Sequence, residues 1–297
     1  MSRAAPPVTR TSAPLARQVP RGVGTRRMLS GSSRGVVLPG LVVAASLYGL
    51  LAEAPYRALP DATVLGARAQ DACSIVVAVL LAALAVRAPR GAELPAVRLV
   101  RLGLLGYLLY SYLIYVTGVP MNRMFLAYVA IVALSGAGLG RGLLDLALRT
   151  PASAASDRLR RGTGWMLVVT AVLFAGLWLS TLLPVALGTG QAEPQGPGGT
   201  PYPVFWLDLA IVLPAVAAVG ALLLRRSALG PPLAVVALIK IVTLFTALWA
   251  GPVVALVTDA DVHLGPDAGP SLLLLGASAW LVVRWLRTFG DQGPVRS

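Results

Sequence analysis

The chain is poor in most of what soluble enzymes use. Of its 297 residues only 12% are charged, about half the share found in ordinary soluble domains. A single histidine, His263, leaves no pair for haem ligation and little material for acid–base chemistry. A single cysteine, Cys73, excludes an internal disulfide and every C-x-x-C redox or zinc motif. Lysine is as scarce: Lys240 is alone, and every other cation is an arginine. There is no phosphate loop, G-x-S-x-G, H-E-x-x-H or dinucleotide fingerprint. No catalytic residue, metal site or cofactor is therefore assigned. What is abundant is apolar: 57% of residues are hydrophobic and the mean hydropathy is +0.77.

Those apolar residues come in runs long enough to cross a bilayer, at about 18 residues or more. Spans are expected near 35–56, 66–86, 99–118, 121–140, 164–187, 203–224, 232–257 and 270–287. Spans 2 and 8 are the weakest, because Arg68, Asp71 and Arg284 lie near their ends. The fold class is thus all-α membrane, a polytopic helical bundle of about eight transmembrane helices. The net charge of +13 would suggest nucleic acid in a soluble protein. Here it is a topology signal instead. Twenty-one cations fall in the tails and alternate loops, and only Arg57, Arg68 and Arg123 fall on the other side. The positive-inside rule places both termini in the cytoplasm. The bias to Ala, Gly, Pro and Arg suits a bacterial plasma (inner) membrane.

Residues 1–34 are rich in Arg, Ser and Pro and read as a disordered basic cytoplasmic tail. Thr25-Arg26-Arg27-Met28-Leu29 also has the look of a twin-arginine signal, but seven further spans argue against export. The remainder divides into membrane half 1, residues 35–150, and membrane half 2, residues 151–297. The halves share a pattern. Asp71 precedes Arg87 by sixteen residues in span 2, and Asp208 precedes Arg225 by seventeen in span 6. Spans 1 and 5 share LVVAAS from Leu41 and LVVTAV from Leu167. Two four-helix repeats of the same orientation are expected, related about an axis along the membrane normal. Lys240 would then correspond to the neighbourhood of Arg101–Gly103.

Lys240 is the outstanding single residue. At ~1.5 Å per residue from Pro231 it lies roughly 14 Å deep, near the middle of a ~30 Å core. A cation there costs about 2.5–3.5 kcal/mol and marks a functional site by default. Asp208 descends in the preceding span, so a carboxylate–ammonium pair is expected. Five of the eight tyrosines lie in spans 3 and 4. An interfacial aromatic belt accounts for Tyr112 and Tyr115, close to the Val119-Pro120 turn. Tyr107 and Tyr110 lie deeper and need hydrogen-bond partners. With Asn122 at the turn, these residues form the candidate ligand-binding or charge-relay set: Asp208, Lys240, Tyr107, Tyr110 and Asn122. They are expected to line a pocket opening outward. Asp259, Asp261 and His263 alternate in an outer loop and read as exposed acidic loop rather than metal ligands.

The segments LLYSYLIYVTGVPMNRMFLAYVAIVALS and VFWLDLAIVLPA…RR…LIKIVTL resemble a group of bacterial multi-span integral membrane proteins without assigned activity. The resemblance implies membrane class and a role for Asp208 and Lys240, and no activity. The expected partners are the lipid bilayer, an unidentified small solute or ion, and a membrane-protein partner or second copy, with no nucleic acid. Paired repeats, a midplane cation and Pro214 and Pro252 suit a small-solute, ion or proton transporter or channel-like protein. The alternatives are a membrane scaffold or regulatory subunit and an intramembrane enzyme acting on a lipid.

Overall fold

A computed structural model describes residues 31–87, 93–191, 202–257 and 268–289. The basic tail up to residue 30, its twin-arginine stretch, most of the 5–6 loop and the Asp259–Asp261–His263 loop lie outside the described residues. The fold is all-α, with eight helices and no strand among the described residues.

Helix α1 spans Gly31–Leu51, α2 Asp61–Arg87, α3 Pro95–Gly118 and α4 Phe125–Leu148. Helix α5 spans Asp157–Ala186, α7 Gly230–Val257 and α8 Ala268–Arg287. Helix α6, Val204–Leu224, is composite: one α turn, a π-helical stretch over Asp208–Val212, then α-helix from Leu213. The ends follow local chemistry. Pro95 opens α3, where its missing amide costs nothing. Ser156 caps α5 by accepting from the Leu159 amide at 3.3 Å, with Asp157 in the first turn. Beyond α5, Gly188 takes φ +71° and the Thr189 and Gly190 amides both return to the Pro184 carbonyl at 2.9 Å.

Seven of these helices are long and apolar enough to cross a bilayer, so this is an integral membrane protein. The span that falls short is α1, not the second or eighth. Its apolar part is Val36–Leu51, about 24 Å at the helical rise against a core of ~30 Å. Arg68 and Asp71 do not weaken α2, because its helix runs on to Arg87 and supplies an apolar window between them.

Packing repeats between the halves. Helices α1 and α2 lie side by side, as do α5 and α6; α3 pairs with α4, and α7 with α8. The second and third helix of each half meet more lightly. Helix α7 is the hub, touching α2, α3, α6 and α8. Its approach to α3 depends on Gly103, where a Cβ would stand 2.5 Å from the Ile239 Cβ. Burial follows this order. In the most apolar window of α3, 61% of residues are buried, against 11% in α5, so α3 is core and α5 faces lipid.

Candidate functional site

The candidates come from four elements, and the structure brings three of the five together. Asp208 begins the π stretch of α6 and is buried. The Leu213 amide donates to its carbonyl, five residues back. Pro214 follows and has no amide to give Ala210. A π turn of this kind widens the helix and recurs at functional sites. The Asp208 carboxylate accepts from the Tyr110 hydroxyl at 3.0 Å and from the Trp178 indole N–H at 2.9 Å. These donors come from α3 and α5.

Lys240, on α7, places its Nζ 3.8 Å from the centroid of the Tyr110 ring. Asp208 and Lys240 are not in ion-pair contact; the described ion pairs are Arg98–Asp145, Arg101–Glu93 and Arg226–Asp157. Tyr110 touches both charges. Its ring face takes the ammonium, and its hydroxyl holds the carboxylate. A cation–π contact gives about 0.5–2 kcal/mol, less than the ~2.5–3.5 kcal/mol that burying the cation costs. The ring alone therefore does not offset the burial of the ammonium, and the nearby Asp208 carboxylate adds to the ring's contribution.

Tyr107 and Asn122 are elsewhere. Tyr107 is fully buried and turns to α2, within 3.4 Å of the Ser74 hydroxyl and the Gln70 carbonyl. Asn122 serves its own turn. Its Nδ2 donates to the Pro120 carbonyl at 3.1 Å, and its Oδ1 accepts from the Met124 amide at 2.9 Å. Arg101 is tied to Glu93 at 2.7 Å at the start of its own helix, away from mid-membrane.

A second buried carboxylate was passed over by the sequence reading. Asp71, on α2, is 2% exposed. It accepts from the Tyr56 hydroxyl at 2.5 Å and from the Tyr115 hydroxyl at 3.0 Å. Tyr112 and Tyr128 pack on Tyr115 with ring centroids 5.3 Å away in each case. Tyr112 also meets the Ser46 hydroxyl of α1 at 3.1 Å. The interfacial-belt reading of Tyr112 and Tyr115 is thereby corrected. Both are buried, because a carboxylate inside the bundle needs donors more than the lipid interface needs rings. Tyr56 lies in the connection between α1 and α2. Burial, then the neighbouring Asp71, push its hydroxyl well above its ordinary value, so it stays a donor. Gly49 closes the site: a Cβ there would stand 1.9 Å from Asp71 Oδ2. The available signal was Asp71 itself, an acid inside a span.

Two clefts lie at the arginine-rich end of α5 and α8, lined by residues such as Arg158, Gly162 and Arg284, away from the outward pocket expected beside Asp208. No protein-family model, curated protein or solved structure matches the chain. What stands from the resemblance noted in spans 3–4 and 6–7 is the class, a multi-span helical membrane protein.

Proposed function

We propose that this integral membrane protein is a small-solute, ion or proton transporter of channel-like kind, and that Asp208, Tyr110 and Lys240 are its charge-carrying group. One observation carries the reading: a mid-membrane ammonium rests on the ring of the tyrosine that holds a buried carboxylate on a π turn. Both charges touch Tyr110 without a direct ion pair between them, so each can exchange a proton or meet a counter-ion. The like packing of the two halves agrees with a pair of parallel repeats, residues 35–150 and 151–297, and transporters place their sites at such repeat interfaces. Both termini are assigned to the cytoplasm on the distribution of arginines.

A scaffold or regulatory subunit is the second reading. The observation that favours it is the close burial of the polar groups. Flux separates the two. Purified protein in liposomes with a trapped pH dye and an imposed potassium diffusion potential should carry protons faster than protein-free vesicles. Asp208→Asn should abolish that flux while the protein still inserts and elutes as wild type. Wild-type vesicles that stay as tight as empty ones to protons, chloride and sodium would leave the scaffold reading in possession.

A further inference from the structure

We infer that the cleft between α5 and α8 at the arginine-rich end is a binding site for an anionic phospholipid. The asymmetry of the halves creates it. In the first half α1 and α4 pack together; α5 and α8, at the same places in the second half, do not pack along their lengths. They are pinned at one end, where the Trp285 indole N–H donates to the Thr163 hydroxyl at 3.0 Å and the Ser153 and Thr288 hydroxyls meet at 2.9 Å. Beside that pin the helices leave a cleft of ≈ 490 Å³.

Its chemistry has two zones. Arg158 and Arg284 line the cleft, and an adjoining cleft that shares Arg158 and Gly162 adds Arg161 and Asp157. None of the three arginines is in a described ion pair, and the nearby acid, Asp157, is engaged with Arg226 at 2.6 Å. Arg284 lies over the Trp280 ring, 5.3 Å from its centroid, which orients one guanidinium at the entrance. Toward the bilayer the wall turns apolar. Gly162, Met166, Ala277 and Leu281 line it; beyond the cleft, Val169 and Leu173 continue the Gly162–Met166 face of α5 at helical spacing and are 48% and 66% exposed. Arginines suit phosphate oxygens, and the exposed stripe suits an acyl chain. A free anion would use the first zone only; a lipid uses both. Basic clefts between membrane helices recognise anionic headgroups in this way.

The test is native mass spectrometry of the full-length protein released from detergent containing phosphatidylglycerol or phosphatidylcholine. Phosphatidylglycerol should remain bound and phosphatidylcholine should not. The triple variant R158Q/R161Q/R284Q should weaken that retention on the order of 100-fold, at about fivefold per arginine. Gly162→Leu should weaken it with every charge in place, because a side chain at that position meets no atom within 4 Å and extends into open cleft. Arg149→Gln, outside the cleft, should retain lipid as wild type does. Equal retention of the two lipids, wild-type retention by both cleft variants, or equally tight displacement by inorganic phosphate would each overturn the site.

Discussion

Asp71 and Asp208 are both carboxylates buried inside the bundle, each on the second helix of its half, and they are held in opposite ways. Asp71 is enclosed. Two tyrosine hydroxyls donate to it, further tyrosine rings pack behind them, and the Gly49 backbone presses on its oxygen. No described cation pairs with it. At about 1.5–3 kcal/mol per hydrogen bond to a charged group, two donors offset much of its burial. Asp208 sits on a π turn with one hydroxyl and one indole donor, and a lysine lies over the ring of its tyrosine. The first acid is fixed by complete packing. The second is held by a widened helix turn beside a charge that is only partly compensated. On the proposed function, the contrast makes Asp71 the structural acid and Asp208 the one that handles charge.

Gly49→Val should have the largest effect. Its Cβ would meet Asp71 Oδ2 at 1.9 Å and the Tyr56 hydroxyl at 2.5 Å. Overpacking of this kind costs ~1–3 kcal/mol or more, and displacing a carboxylate from its donors adds to that. Loss of folded protein on size exclusion is the expected outcome. A well-folded Gly49→Val protein would mean that Asp71 is not enclosed, and the comparison would fail.

Paired hydroxyl deletions sharpen the contrast. Tyr115→Phe removes a donor from Asp71 and a 3.0 Å bond to the Ala67 carbonyl, so it should lower stability by about 1–3 kcal/mol. Tyr110→Phe keeps the ring under Lys240 and leaves Trp178 on Asp208. It should cost stability less and flux more. Thermal unfolding in detergent and liposome flux, measured on both variants, read the two quantities. The reverse ranking would exchange the roles of the two acids.

Lys240→Met follows, and its sign matters more than its size. An ammonium that the ring compensates only in part destabilises the fold, so the apolar substitute should leave stability unchanged or raise it by ~1–2 kcal/mol. Flux should be lost. Lower expression with a lower unfolding temperature would show that Lys240 anchors structure instead.

The membrane class and helix positions were legible because apolar run length is a physical requirement of the bilayer. Asp208, Tyr110 and Lys240 were legible too: each is a polar group at a depth where it needs a partner. Their mode of contact was not. Sequence gives depth along a helix but not rotation about it, so it cannot say that Lys240 reaches the ring face of Tyr110. Rotation also hid the tyrosines. Tyr107, Tyr110 and Tyr115 lie within nine residues on α3, yet they serve Ser74, Asp208 and Asp71 respectively. Asn122 was placed correctly at the turn, but its side chain is consumed by its own backbone, which no pattern of neighbours reveals. The first span was drawn on to residue 56, although Glu53 and Pro55 interrupt it and the helix ends at Leu51.

The smallest effect belongs to an acid at the other end of the bundle, outside the spans, where neither enclosure nor a lone cation applies. Glu93 precedes α3 and pairs with Arg101 at 2.7 Å. Burial raises its carboxyl above the ordinary value, and Arg101 and Arg98 only partly counter this. A carboxyl raised on folding binds its proton more tightly in the folded protein. Its contribution is therefore fully present below the unfolded value, near pH 4.3, and is lost as pH rises through the raised one. Glu93→Gln removes that dependence along with the ion pair. Between about pH 4 and pH 7 the wild type should lose a little stability relative to the variant, by less than about 1 kcal/mol, as expected for a partly exposed pair. Unfolding temperatures of both proteins in detergent across that range measure it. A wild type that gains on the variant as pH rises would show that the Arg101 pair outweighs burial at Glu93.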